Sequence, residues 1–188
     1  EDERPARLVT VAAFEIARTE VTNAQFVVFL NLVAEVDPKW CAFDSRKCLL
    51  HRHPVTGRWS TSAPDLPVVT VSLEGAQAYC SFRRSCTMIH HDLPSEVEWE
   101  KAARGPDSFV YAYGNVYRRD AANQESGQLR KVASYAPNGW GLYDMSGNAF
   151  EWTRDAYRPK IGNDSPEVGA GGDASKDGGA DAATEFQV

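Results

Sequence analysis

Nothing in the sequence is long and apolar enough to span a bilayer; its hydrophobic runs fall far short of the ~20 residues a membrane helix needs. A basic surface is missing too. The 20 Lys and Arg are outnumbered by 26 Asp and Glu, and the formal charge of −6 comes with no Lys/Arg run interleaved with aromatics, which sets nucleic acid aside as a partner. The signature loops of common enzymes are absent: no G-x-S-x-G turn, no Walker phosphate loop, no dinucleotide fingerprint and no H-x-x-x-H pair. Cysteine is scarce. Its four residues form two close pairs, Cys41/Cys48 and Cys80/Cys86, neither with the C-x2–4-C spacing of a zinc site.

What remains is a composition ordinary for a globular protein, 43% hydrophobic and 24% charged, in a length of 188 residues that suits one domain with a sizeable core. An even number of cysteines in local pairs points to disulfides and an oxidising compartment, with free buried thiols as the alternative. The first pair brackets the polar loop "AFDSRK"; the second would close the end of a helix. The opening "EDERPARLVTV" is charged and already strand-like rather than a signal peptide, as expected of a precursor whose leader has been removed.

Along the chain, Leu8 to Val21 is rich in β-branched and aromatic residues and predicts one or two strands. "TNAQFVVFLNLVAEV" then turns helical: Thr22 and Gln25 have capping-box spacing, and Phe26, Phe29, Leu30 and Val33 recur at helical period. Pro38 to Pro67 shows little periodicity and predicts a long pinned loop. "LPVVTVS" predicts a short strand that delivers Ser72 as the cap of a second helix, which carries Ala76, Tyr79 and Cys80 inward. A third helix starts at a Ser95/Glu98 capping box and stops at Gly105. Beyond Gly105 glycine, asparagine and proline predict loops, ending in a Gly/Ala/Asp-rich stretch of low complexity that closes on "EFQV".

One segment stands out among those loops. In "YDMSGNAFEW", Asp144 and Glu151 lie seven residues apart around Gly147-Asn148. Folded back, both carboxylates could face one point, with the carbonyls near Gly147 and Ala149 completing an oxygen cage suited to a hard cation. The plainer alternative is an Asx-turn at Asp144 and an ion pair of Glu151 with a base such as Arg154. His51, His53, His90 and His91 read as surface or hydrogen-bonded loop residues, because a metal site needs three or four converging ligands. Trp99, Trp140 and Trp152, with Tyr143, read as core anchors with satisfied ring N–H groups, an aromatic-lined cleft being the alternative.

Five segments together carry a resemblance. "FEIARTEVTNAQFVVFL", "PVVTVSLEGAQAYC", "LPSEVEWEKAARG", "YAYGN" and "APNGWGLYDMSGNAFEWTRDAY" occur in the order and approximate spacing of the sulfatase-modifying-factor family, which includes the formylglycine-generating enzymes. They span about Phe14 to Tyr157. The resemblance implies an α+β protein: the formylglycine-generating-enzyme variant of the C-type-lectin fold, with few helices around a small antiparallel sheet and long ordered loops. Residues 1–158 would form the N-terminal and central part of such a domain. Residues 159–188 would be a flexible loop ending at the start of a strand, the domain being completed by sequence beyond 188. In calcium-containing members the segment like "YDMSGNAFEW" encloses Ca²⁺. By position, Asp144 and Glu151 would give side-chain oxygens and Gly147 and Ala149 main-chain carbonyls, so the ion would be structural. The family's other calcium site begins at an asparagine matching Asn123, but its downstream aspartate has no counterpart here.

The resemblance leaves two functional readings standing. None of Cys41, Cys48, Cys80 or Cys86 matches the copper-binding cysteine pair of the formylglycine-generating enzymes. The first reading is therefore an extracytoplasmic (periplasmic or secreted), calcium-stabilised, disulfide-stapled binding or scaffold module for a protein, peptide or saccharide, with no redox site of its own in this chain. The second is the N-terminal part of a formylglycine-generating-type oxidase. Its catalytic cysteine pair, and with it copper, would belong to a C-terminal fragment of the same polypeptide acting as partner. A transition-metal site on His51, His53 or His90 rests on residue type alone.

Overall fold

The structure, a computed structural model, describes residues 8–156. The expected loop over 159–188 and its closing strand lie outside the described residues. The first helix, α1, runs Asn23–Leu32. Its capping box forms as the sequence predicts: Gln25 N–H donates to Thr22 Oγ1, and Thr22 N–H donates to Gln25 Oε1. Phe26, Phe29 and Leu30 are buried. The helix ends before the apolar pattern does, because Val33 turns extended and the chain brings Val33 and Val36 back against the core. Pro38 also keeps Asp37 out of the helical region.

A 3-10 turn, Pro38–Trp40, sets Trp40 on Phe29 with ring centroids 5.2 Å apart. Helix α2, Leu73–Thr87, starts where Ser72 Oγ accepts from Gly75 N–H. It lies so close to that turn that a Cβ on Gly75 would sit 2.1 Å from the Trp40 carbonyl oxygen, so only glycine fits. Its inward side chains Tyr79 and Phe82 pack on Phe29, at 5.6 and 5.3 Å between centroids. Helix α3, Glu96–Arg104, has the Ser95/Glu98 capping box and stops at Gly105 in a positive-φ conformation. It buries Ala102 and Ala103 against Leu142 and Met145, which makes a second, smaller core.

The predicted long loop contains a hairpin. Strands β1, Leu50–Arg52, and β2, Trp59–Thr61, pair antiparallel with His51 opposite Ser60. Each has three residues and only Leu50 is buried, so no alternation betrays them. The converse error falls on Leu8 to Val21, where no strand forms. Residues 8–17 make no backbone hydrogen bond among the described residues, and β-branched composition cannot make a ladder without a neighbour. "LPVVTV" is likewise reduced to two isolated bridges, Thr22 with Pro67 and Cys41 with Val71.

The cysteine pairing needs correction. All four cysteines are free thiols. Cys80 and Cys86 both lie within α2, separated by ~9 Å of helical rise. That exceeds disulfide reach, and Cys80 is buried while Cys86 is exposed. Cys41 and Cys48, by contrast, are brought together with their sulfurs 3.8 Å apart in the main core.

Candidate metal centre and the adjoining groove

The bend inside "YDMSGNAFEW" follows from its composition. Asp144, Gly147 and Asn148 all adopt positive φ, at 58°, 144° and 77°. Asp and Asn tolerate that region better than other side chains. Gly147 has no substitute, since a Cβ there would lie 2.6 Å from the Asn123 carbonyl oxygen. Asn148 N–H donates to that same oxygen at 3.0 Å. The Asn148 side chain then ties three segments together. Its Nδ2 donates to Glu20 Oε2 at 2.7 Å, and its Oδ1 accepts from Asn123 Nδ2 and Arg130 N–H, both at 2.9 Å.

Glu20 is the residue that reading the sequence missed. It sits two positions before the α1 cap Thr22, buried to 4% exposure, and its Oε1 accepts from Ala149 N–H at 2.9 Å. The only signal for it is an acid, followed by Val21, just ahead of a helix cap. The two acids the sequence did single out are also engaged from afar. Asp144 Oδ2 accepts from Ala133 N–H at 2.7 Å, and Glu151 Oε2 accepts from the Trp99 ring N–H at 2.9 Å. The plainer alternative for these residues does not form: Arg154 pairs with Glu98 at 3.1 Å and with the Leu93 carbonyl, not with Glu151.

These three acids repel one another's charge. Burial pushes Glu20 up to about 8, offset in part by the Asn148 hydrogen bond and reinforced by Glu151 and Asp144. Burial pushes Glu151 up to about 7, against the Trp99 bond and with help from Asp144. Asp144 is raised by burial, against its hydrogen bond from Ala133. No ion pair among the described residues involves any of the three. Nor does a hydrogen bond among the described residues end on the Gly147 or Ala149 carbonyl. The predicted ligand set therefore shares one bend: two acids without a counter-cation and two carbonyls without donors among the described residues.

No group of three or more His, Cys, Asp or Glu side chains takes up ligand geometry among the described residues. An ion held here must draw on main-chain oxygens, which calcium accepts and zinc or copper disfavour. Asn123, the residue matching a further calcium site, has its side chain committed to Ser126, Gln128 and Asn148. The histidines do not converge either. His53 Nδ1 accepts from Val55 and Thr56 N–H, His90 meets Arg84 at 3.0 Å, and His91 meets Thr87 at 2.8 Å. Trp99 is the anchor the sequence suggested, with its ring N–H on Glu151. Trp140 and Trp152 are instead about half exposed, at 54% and 48%.

Beside the bend lies a groove of about 990 Å³, lined among others by Leu49, Thr70, Val71, Phe150 and Trp152. Phe150 is fully exposed, and the Trp152 ring N–H donates to the Val71 carbonyl across the groove. Residues 150–153 belong to no helix or strand and make no backbone hydrogen bond among the described residues, and Phe150, Glu151 and Trp152 line the groove. No described helix is long and apolar enough to cross a membrane.

Known proteins share this chain's sequence and shape. It is 32% identical over 199 aligned positions to the inactive C-alpha-formylglycine-generating enzyme 2 of Mus musculus, covering 84% of this chain and 63% of that one. It is 32% identical over 224 positions to the formylglycine-generating enzyme of Mycobacterium tuberculosis, covering 89% and 72%. A serine/threonine-protein kinase, pkn1, of Chlamydia pneumoniae matches 83% of this chain at 32% identity, but over only 25% of its own length. The chain thus spans between a quarter and nearly three quarters of the length of these relatives. In shape it matches PvdO from Pseudomonas aeruginosa with a TM-score of 0.55 at 22% identity, covering 76% of this chain and 57% of that one; this likeness shows the fold alone. The profile described as the Sulfatase-modifying factor enzyme 1-like domain matches residues 1–184, and with α+β architecture and acid-flanked bend both in place, the chain belongs to the sulfatase-modifying-factor, or formylglycine-generating-enzyme-like, family.

Proposed function

We propose that this domain is a calcium-stabilised, extracytoplasmic binding or scaffold module. The observation that carries the reading is the Asp144–Glu151 bend, where among the described residues the acids have no counter-cation and the carbonyls of Gly147 and Ala149 have no donor. A hard divalent ion there would be held by those four residues, offset their mutual repulsion, and fix the loops between α3 and Asp155. Calcium at the concentrations found outside the cytoplasm suits a site of modest charge and rigidity. The groove supplies the binding face. Its wall at 150–152, where the backbone makes no hydrogen bond among the described residues and Phe150 and Trp152 are exposed, favours an extended polypeptide over a saccharide, because main-chain pairing with side-chain pockets is how extended partners are recognised. Calorimetric titration of the whole chain with calcium tests the reading. A saturable one-to-one isotherm, lost in Asp144→Asn and Glu151→Gln, is expected; no heat in the unaltered chain overturns it.

The second reading makes the chain the N-terminal part of a formylglycine-generating-type oxidase, completed by a C-terminal fragment that brings the cysteine pair and copper. It is favoured by the backbone at 150–153, which makes no hydrogen bond among the described residues, and by the greater length of the relatives, including one named a formylglycine-generating enzyme. Native material settles the choice. A lone species near 20.7 kDa that binds no copper contradicts the oxidase reading, and a tightly held, copper-binding second fragment supports it.

A further inference from the structure

We propose that Cys41 and Cys48 form a reversible thiol–disulfide site that sets the state of one wall of the groove. Their sulfurs lie 3.8 Å apart, at the two ends of a loop that carries Arg46 and Lys47 to the groove rim. Cys41 also reaches the wall itself. Its Sγ donates to the Val69 carbonyl at 3.7 Å and lies 3.2 Å from Thr70 Oγ1. Thr70 is the one β-branched residue among the described positive-φ positions, at 66°, so its backbone is strained and depends on its neighbours. Val69 and Thr70 both line the groove.

The chemistry follows from burial. Desolvation pushes the Cys41 thiol up to about 12, so at rest it keeps its proton and its role as donor, and it attacks only as the thiolate released in the first step takes that proton. Cys48 is the less buried of the pair, 7% exposed against 2%, and meets an incoming oxidant first. The oxidant is a low-molecular-weight disulfide such as glutathione disulfide. Cys48 sulfur attacks one of its sulfurs and releases one thiol; Cys41 sulfur then attacks the mixed disulfide and releases the second. Two protein S–H bonds are lost, one S–S bond forms, and the oxidant is reduced to two thiols that carry the protons. Bond formation draws Cys41 sulfur away from the wall and removes its only hydrogen. The Val69 contact is then gone, and the strained Thr70 turn is released. Any effect on a ligand rests on the groove being a docking face, but the redox step itself does not.

The test uses the whole chain carrying Cys86→Ser, which removes the exposed competing thiol. After incubation with glutathione disulfide, mass spectrometry is expected to show the loss of two hydrogens and a Cys41–Cys48 cross-linked peptide. Amide exchange across residues 69–71 is expected to rise several-fold, the scale set by one lost hydrogen bond. Adding Cys48→Ala leaves the Cys41 contact intact and is expected to abolish both responses. Thiols that stay reduced, a lasting glutathione adduct, or a cross-link without change at 69–71 each overturn the proposal. So does a rise in exchange in the Cys48→Ala chain. Calcium and ligand are absent from every arm, so failure here leaves the proposed function standing.

Discussion

Between Val21 and Thr87 the chain is organised by rings. Phe26, Phe29, Trp40, Tyr79 and Phe82 form one continuous aromatic cluster, with Phe26 and Phe29 only 5.1 Å apart. Between Gly105 and Asp155 the chain is organised by polar side chains reaching over long sequence distances. Asn148 ties Glu20, Asn123 and Arg130 together; Asn138 donates to the Ala102 carbonyl and caps its own turn; Glu151 holds Trp99. The first region gains stability from non-directional burial, which tolerates small shifts. The second depends on directional bonds among groups that are costly to bury, so it gains most from a bound charge. The contrast explains why one stretch of fold could carry the domain's core and the other its site.

The comparison breaks most readily in the aromatic cluster. Phe29→Ala removes the ring at its centre and is expected to cost about 3–5 kcal/mol, read as a lowered denaturation midpoint with calcium present or absent. The polar region should respond to pH instead. Glu20 and Glu151 have pKa values raised above the 4.5 of an unperturbed glutamate. The folded state therefore binds more protons than the unfolded one, and the associated stability is full below that value and lost as pH rises through about 7 to 8. Without calcium the melting temperature is expected to fall between about pH 5 and about pH 8, by an amount corresponding to a few kcal/mol at most. Glu20→Gln should flatten that slope, and a slope unchanged in this variant would contradict the assignment.

Asn148→Ala sharpens the contrast further. It deletes the hydrogen bonds to Glu20, Asn123 and Arg130 and is expected to cost about 2 kcal/mol, with faster amide exchange confined to residues 123–130 and 144–154. Equal acceleration in α1 would show that the two regions are not energetically distinct. The smallest effect belongs to their junction. Ser95→Ala removes the α3 cap that accepts from Glu98 N–H and should lower stability by about 1 kcal/mol.

The helices were legible because their determinants are local. Capping boxes at Thr22/Gln25 and Ser95/Glu98, and the stop at Gly105, are read three or four residues at a time. The hairpin was not, since two three-residue strands offer no alternation, and Leu8 to Val21 misled because strand composition says nothing about the presence of a neighbour. At the site, the acid–glycine–asparagine spacing pointed to the bend that carries Asp144, Gly147, Ala149 and Glu151, whose role as ligands is a proposal. Glu20 stayed hidden, because its partners lie 128 and 129 residues away in the chain. The cysteines show the same boundary. Spacing alone could not tell Cys41 and Cys48, which a loop folds together, from Cys80 and Cys86, which one helix holds apart.

Hydrogen exchange of the whole chain, compared in calcium and in chelator, tests the calcium-held bend most directly. Slower exchange in calcium across Gly141–Arg154 and around Glu20, with α1 and α2 unchanged, is the predicted result. Identical exchange in the two conditions would contradict it.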